Sequence, residues 1–409
     1  FSSWLWPISV FDGINNPDNN DINYYYPTTD LVTGPDIIFF WVSRMIMAGY
    51  EFKDSRPFTN VYFTGIVRDK KRRKMSKSLG NSPDALKLID EYSADGVRVG
   101  LMLSSAAGND LLFDTNLCEQ GKSFSNKIWN SFRLVKGWEF VEMEQPIYCK
   151  TAIKWYNHKF NTTVNKINDH FEKFRISDAL MCVYKLIWDD FCSVLLEIVK
   201  PQFGSPLDSK TYHEILKIFE NNLIILHPFM PFISEEIWHT ISKRDTKDAI
   251  VVSKWPKTQN GIDKNIINEF EVLQNVISGI RNFRKKYQIS FKESLSLSVV
   301  NNDDFPTIYD PIITKLCNVT SIQYGESEIE NSISFRVNSN IYSIPFQQEV
   351  NVEAEIKKIK EDLDYQNGFL KSVNFKLDNK RFAENAPESV IQNEMKKKND
   401  ALLKISVLE

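Results

Sequence analysis

From Leu117 to about residue 255 the apolar residues recur at helical spacing. Positions 117, 124, 128, 132 and 135 open the series, and ISDALMCVYKLIWDDFCSVLLEIVK and TYHEILKIFENNLIILHPFMPFISEEIWHTI continue it. A period near 3.6 held this long commits the middle of the chain to helices packed on their apolar faces. Pro228 and Pro231 interrupt the pattern, so a fresh helix is expected near Ser234. Between 295 and 346 the period changes. LSLSVV, VTSIQY, ISFRV and IYSIPF alternate as short strands do, Asn338-Ser339-Asn340 joins the last two as a hairpin, and a helix is expected near 307–317. From 352 it changes again. Val352, Ile356, Ile359, Leu363, Gln366, Leu370, Val373 and Leu377 alternate spacings of four and three, and Ile391, Met395, Lys398, Leu402 and Ile405 form a weaker second series. Two helices joined through Pro387 and folded back as an antiparallel coiled coil satisfy both series.

The first hundred residues have another character. Residues 12–30 (DGINNPDNNDINYYYPTTD) have loop composition with three tyrosines. A buried helix is expected over 37–48, capped by Asp36 and ended by Gly49. VYFTGIV (61–67) reads as a strand. Ser82-Pro83-Asp84 and Ser93-Ala94-Asp95-Gly96 read as two successive helix starts. Helix, strand, loop and helix together make an α/β arrangement.

Composition excludes several classes. Apolar residues are 42% and charged residues 25% of the 409, which rules out wholesale disorder. A net charge of −3 leaves nucleic-acid binding to local patches. Five scattered cysteines with no C-x-x-C pair suit buried thiols in a reducing cytoplasm, with neither zinc nor disulfides. The longest apolar run, 37–47, is interrupted by Ser43 and Arg44 and is too short to cross a bilayer. The opening FSSWLWP lacks an initiator methionine and resembles no signal peptide; it reads as part of a longer polypeptide.

The densest chemistry lies in RDKKRRKMSKSLGNSPD (68–84), between the expected strand and helix. A run such as KKRRK by itself is most simply a solvated surface or a nuclear address. Lys74-Met75-Ser76-Lys77-Ser78 adds two ammonium groups three positions apart beside two hydroxyls, on a loop where α/β sheets hold ligands. Lysine is a flexible point charge suited to a polyphosphate, and neither a P-loop nor a G-x-G-x-x-G motif competes for that role.

KMSKS followed by LGNSPD resembles the second signature of the class I aminoacyl-tRNA synthetases. With FSSWLWP, TGPDIIFFWVSRMIMAGYEF, FSNKIWNSFRLV, LHPFMPFISEEIW and KLDNKRFAENAPESVI in order, nearly the whole chain resembles the valyl branch of that family. The resemblance implies a mainly α fold with an α/β part. Residues 1–118 are expected to form the second half of a Rossmann-like catalytic domain, 119–290 a helical-bundle anticodon-binding domain, 291–350 a small α+β module, and 351–409 a coiled-coil tRNA-binding arm. The first signature, of His-x-Gly-His type, and the editing domain are missing: no histidine precedes His158.

The family forms an aminoacyl-adenylate from ATP and the amino acid, with Mg2+ expected to help, and passes the aminoacyl group to tRNA. By that resemblance Lys77 and then Lys74 are the catalytic ATP-phosphate contacts. Ser76 and Ser78 hydrogen-bond phosphate or shape the loop, and Gly80 gives it a flexible stop. Gly34 and Asp36 fall where the ATP ribose is held, although Asp36 also reads as a helix cap. Trp41 would wall a valine pocket, though a tryptophan in an apolar helix is more often plain core. Ile66 and Val67 would present backbone groups to adenine. Arg72 and Arg73 read chiefly as solvated surface. Arg281, Arg284, Lys285 and Lys286, with Phe283 and Tyr287, form a basic and aromatic cluster suited to tRNA or to an amphipathic surface. Trp129, Trp138, Trp155, Trp188 and Trp238 are expected in the core. The partners implied are tRNA(Val), ATP and valine, for a monomer with no membrane segment. An isoleucyl or leucyl enzyme and a non-catalytic tRNA-binding module are the alternatives, and the isolated chain is expected to bind tRNA without forming adenylate.

Overall fold

A computed structural model describes residues 2–76, 78–104, 110–258, 261–300, 305–346, 352–378 and 388–408. Lys77 and the turn containing Pro387 lie outside the described residues. The chain divides into two compact units, Phe1–Glu271 and Val272–Glu409.

The first unit begins with two helical turns, α1 (Trp6–Ser9) and α2 (Asn20–Tyr25). Strands β1 (Thr28–Thr33) and β2 (Phe58–Phe63) then pair in parallel, with Thr33 opposite Phe63. A parallel pair needs a crossover. Here it runs through a 3-10 turn at Pro35–Ile37, a π-helical stretch at Ile38–Val42 and α3 (Ser43–Lys53). Val42, Met45 and Phe58 form its core, with Leu31, Trp41 and Val61 packed around them.

The expected helix over 37–48 is corrected at both ends. Gly34 occupies the N-cap position and Asp36 exposes its side chain. α3 runs past Gly49 to Asp54, whose φ of 48° stops it. Gly49 serves close approach instead: a Cβ there would lie 2.8 Å from Pro57 Cδ. Burial on most sides is also corrected, because Phe39, Phe40 and Met47 are exposed. The expected strand over 61–67 is broken in two. β2 ends at Phe63, and β3 (Val67–Arg68) pairs in parallel with β4 (Leu111–Leu112).

α4 (Ala85–Tyr92) is capped by Asp84, whose carboxylate accepts from Leu86 N at 2.9 Å; the helix start falls two residues beyond the expected Ser82 cap. α5 (Ala94–Ser104) starts as expected, with Ser93 Oγ accepting from Gly96 N at 3.2 Å. α6 (Thr115–Lys136) crosses α5 so closely that a Cβ on Gly121 would sit 2.6 Å from Gly96 O.

The bundle follows. It comprises α6, α7 (Ile147–Glu172), α8 (Ile176–Lys185), a π-helical continuation Leu186–Leu195 into α9 (Leu196–Val199), α10 (Ser209–Leu226) and α11 (Pro231–Ile241). A short parallel pair, β5 (Phe140–Val141) with β6 (Leu207–Asp208), joins its loops. Trp155 stacks on Phe270 at 4.3 Å, and the buried Tyr156 hydroxyl donates to Asn222 Oδ1 at 2.9 Å. Of the five tryptophans expected in the core, Trp155 and Trp238 are buried, and Trp129, Trp138 and Trp188 are half-buried. The indole of Trp188 supports the Lys127 ammonium 4.4 Å from its ring centre.

The break between α10 and α11 falls where the two prolines place it, and α5 satisfies both sides of it. Arg98 donates to the carbonyls of Phe229 (3.2 Å) and Pro228 (3.0 Å), and Asp95 accepts from the backbone N–H groups of Ile233 (2.8 Å) and Phe232 (3.3 Å). Helix termini leave such groups unpaired, and two side chains one turn apart on α5 serve both ends. Burial raises the Asp95 carboxyl above its ordinary range despite these bonds.

Helix α12 (Lys264–Lys286) carries the chain into the second unit. Strands β7 (Leu295–Val300), β8 (Val319–Tyr324), β9 (Ser332–Val337) and β10 (Asn340–Pro345) form one sheet in the order β8-β7-β10-β9. Helix α13 (Asp310–Cys317), after a 3-10 turn, makes the crossover between parallel β7 and β8. The β9–β10 hairpin closes through Asn338 and Ser339, with Asn338 at φ 53°.

α14 (Val352–Leu377) and α15 (Glu388–Leu408) pack against each other, with Lys376 Nζ 4.0 Å from Glu394. On α14, Leu363, Gln366, Leu370, Val373 and Leu377 are turned inward as their spacing predicts. On α15 the seam is corrected. Glu394 and Ala401 are buried beside Ile405, whereas Met395 and Leu402 face solvent. Alternating steps of three and four run through 391, 394, 398, 401 and 405, so an alanine and a glutamate paired with Lys397 occupy that seam.

Among the described residues no helix is long and apolar enough to cross a membrane. All five cysteines are free; Cys182 is half-buried and the others are buried.

Candidate functional site

The basic stretch after β3 folds into a tight hairpin before it reaches the serines. Arg68 and Lys74 bridge in antiparallel fashion, Asp69 N donates to Arg73 O at 2.9 Å, and Arg72 takes the turn at φ 62°. Much of the charge is already paired, within the hairpin or to the carboxylates that flank β4. Arg68 pairs with Asp110, Lys70 with Asp114 at 2.9 Å, and Arg73 with Asp69 at 2.8 Å. Among the described residues Lys71, Arg72 and Lys74 make no ion pair. Arg73, read from sequence chiefly as solvated surface, is therefore a strut of the hairpin.

Asp69 and Asn81 organise the loop, and sequence reasoning missed both. Asp69 Oδ1 accepts from Lys71 N and Arg73 N, each at 2.9 Å, and its Oδ2 accepts from Asn81 Nδ2 at 3.1 Å. The Asn81 amide first, then Arg73, hold the Asp69 carboxyl well below the usual carboxylate range. Asn81 also accepts from Ser76 N at 2.9 Å and donates to Lys74 O at 3.3 Å, so one amide ties Lys74 and Ser76 to the hairpin. Ser76 Oγ lies 3.1 Å from Ser78 Oγ and accepts from Leu79 N, which is loop-shaping work. Gly80 has φ 65°, a left-handed turn that glycine adopts without strain. Met75 packs against the cluster of Leu111, Phe113 and Cys118, anchoring the loop from below. Beside it opens a cleft of about 330 Å³, walled by Asn81, Pro83, Phe113 and Thr115. Lys74 is exposed at this loop.

The remaining sequence-derived candidates are distributed as follows. Gly34 and Asp36 lie just past the C-terminal end of β1, where Thr64 N reaches across from the end of β2 to Thr33 O at 2.9 Å; ligands of parallel sheets gather at such strand ends. Asp36 makes no capping hydrogen bond, so the helix-cap reading is removed. Trp41 is half-buried against the β1–β2 core, and its Nε1 donates to Ser3 O at 3.1 Å. Ile66 is corrected as an adenine contact: its N–H donates to Asp110 and its carbonyl accepts from Leu111 N at 3.0 Å. The Val67 carbonyl likewise accepts from Met75 N at 3.2 Å.

In the second unit Arg281, Lys285 and Lys286 are exposed along α12. Arg284 is corrected. It is buried, and its guanidinium donates to the carbonyls of Ser290 (2.8 Å), Cys317 (2.9 Å) and Asn318 (3.3 Å). Phe283 is buried as well, so neither residue presents a surface to RNA.

Two family models match the chain. The model described as tRNA synthetases class I (I, L, M and V) covers residues 1–114, and the anticodon-binding domain of tRNA ligase covers residues 154–300. The whole chain aligns with the valine–tRNA ligase of Christiangramia forsetii at 57% identity, with that of Phocaeicola vulgatus at 55%, and with that of Fusobacterium nucleatum at 37%. These alignments cover 47%, 46% and 48% of the respective relatives, so the chain spans about half the length of the curated relatives it matches.

Proposed function

We infer, for a chain that belongs to the class I tRNA synthetases and aligns end to end with valine–tRNA ligases, that it supplies the ATP-phosphate loop and the tRNA-binding domains of an enzyme joining valine to tRNA(Val). The observation that carries this reading is the loop after β3. It is held by Asn81 and Asp69, anchored by Met75, and among the described residues Lys74 makes no ion pair. Activation of an amino acid by ATP places growing negative charge on the departing pyrophosphate, and fixed cations beside the phosphates stabilise it. Lys77 is the leading contact and Lys74 the second. Gly34 and Asp36, at the strand end, suit the ribose, where an exposed carboxylate accepts from a sugar hydroxyl. Val67 stays a candidate neighbour of adenine, and Trp41 a wall of the valine pocket.

Magnesium, expected from the family, does not fit the carboxylates beside this loop. Asp69, Asp110 and Asp114 each accept from arginine, lysine or backbone groups. The charge this chain brings to the phosphates is that of its own ammonium groups.

The helices of residues 119–290 are the anticodon-binding element, overlapping the anticodon-binding model at 154–300, and the α14–α15 pair is a coiled-coil arm that braces the tRNA. Valine is favoured over isoleucine and leucine because the relatives aligned along the whole chain are valine enzymes. A monomer in the cytoplasm completes the reading. This chain alone should bind tRNA(Val), with affinity falling steeply as salt rises, and should show no valine-dependent ATP–pyrophosphate exchange. Filter binding across a salt series and an exchange assay test both halves. Absence of tRNA binding contradicts the reading, and exchange by the chain alone contradicts the division of the active site.

A further inference from the structure

Helix α7 ends in a way its sequence does not favour. Arg175 N donates to His170 O at 2.8 Å and Phe174 N to Phe171 O at 3.0 Å, the paired bonds that close a helix around a residue in the left-handed region. That residue is Phe174, at φ 54°. Glycine adopts this conformation without strain and asparagine with little, whereas a bulky side chain there is an outlier. Such a conformation persists only where its surroundings over-determine it, and it points to a task.

The ring of Phe174 lies on that of Tyr62, with centres 5.7 Å apart and planes at 25°. Tyr62 stands on β2 directly opposite Val32 of β1. Successive side chains of a strand point to opposite faces. Val61 and Leu31 join the core beneath α3, so Tyr62 and Val32 belong to the other face of the pair. Val32 is exposed there and Tyr62 is half-buried. The same turn is tied to α5 as well, since Ser177 Oγ donates to Met102 O at 2.6 Å. Tyr62 is followed by Phe63, the last residue of β2, and by Thr64, whose N–H donates to Thr33 O at 2.9 Å. Gly34 and Asp36 come directly after Thr33. A ring seated on Tyr62 therefore fixes β2 two residues before the bond that aligns the two strand ends. We propose that Phe174 is a positioning residue, a prop from the bundle that holds the ends of β1 and β2 in the geometry that receives the ATP ribose. The inference rests on the reading of that strand end as part of the ATP site, and adds to it a residue from outside the sheet. It also accounts for the residue type: glycine would close α7 at lower cost but would leave Tyr62 uncovered.

The test follows amide hydrogen exchange in this chain and ATP–pyrophosphate exchange in the complete enzyme proposed for this sequence. Phe174→Gly removes the ring and relieves the backbone together, so its local and distant effects have opposite signs. The amides of Phe174 and Arg175 should keep or gain protection, while the Thr64 amide should exchange about tenfold faster. Tyr62→Leu, which leaves the α7 turn untouched, should accelerate Thr64 by a similar factor. Phe174→Tyr keeps the ring and should retain the parental rate. In the complete enzyme Phe174→Gly should raise KM for ATP about tenfold, with kcat within about twofold of the parent. Unchanged Thr64 exchange in both Phe174→Gly and Tyr62→Leu overturns the proposal. So does a loss of protection confined to the end of α7. A loosened Thr64 amide in an enzyme whose KM for ATP is unchanged upholds the prop and overturns the reading of the strand end alone.

Discussion

Replacing Lys74 and Lys77 together by alanine, in the complete valine–tRNA ligase proposed for this sequence, should lower valine-dependent ATP–pyrophosphate exchange by about a hundredfold to a thousandfold. Its tRNA affinity should stay within about twofold. The expectation follows from how the charges of 68–77 are spent. Arg68, Lys70 and Arg73 are committed to Asp110, Asp114 and Asp69. Their substitution would loosen the hairpin and change everything downstream of it. Lys74 carries no such duty, so its removal isolates what a cation does for the reacting phosphates. Lys71 and Arg72 likewise make no ion pair among the described residues but sit at the hairpin turn, and they provide the control. Their alanine variants should exchange pyrophosphate at close to the parental rate. Equal losses for Lys71 and Lys74 would mean that the stretch acts only as a diffuse positive surface.

Arg284→Met should cost the second unit about 3 kcal/mol of stability, whereas Lys285→Ala should cost no more than about 0.5 kcal/mol. The guanidinium of Arg284 gathers three backbone carbonyls from the end of the helix–strand loop and from the α13–β8 corner. Removing it leaves the buried Cys317 carbonyl without this donor, and an unmade hydrogen bond in the interior is more expensive than a made one is favourable. The nine tryptophans all lie at or before residue 255, within the first unit. Tryptophan fluorescence therefore reports the first unit, while amide hydrogen exchange of β7–β10 reports the second. The variant should lose protection in the sheet and keep its fluorescence transition. A protein that keeps its sheet protection and loses tRNA affinity would return Arg284 to the RNA surface.

Those two residues also mark where the sequence was legible. The helices of the bundle and the four short strands of the second unit rest on local periodicity, and the structure carries them. Arg284 was misplaced although a signal was present: it lies four residues beyond buried Ile280 and seven beyond buried Ile277, on the inner stripe of α12. Its charge outweighed its position. On α15 the large side chains Met395 and Leu402 drew the seam one residue away from Glu394 and Ala401, because a small or paired residue at a core position has no hydrophobic signature. Gly49 read as a helix stop, and its real constraint, contact with Pro57, comes from a segment that only the fold brings near. Asp69 and Asn81 were invisible for the same reason. Their hydrogen bonds join positions twelve residues apart across a hairpin whose register no local pattern announces.

The exposed aromatics Phe39 and Phe40 border the strand ends where Gly34 and Asp36 lie. Apolar surface of this kind is ordinarily covered.

The most direct measurement is ATP protection of individual lysines against acetylation, followed residue by residue by mass spectrometry in the complete enzyme. Occupancy by ATP should shield Lys74 and Lys77 while Lys71 and Lys285 continue to react at their unliganded rates. Uniform reactivity of all four, with and without nucleotide, would contradict the assignment of this loop to the phosphates.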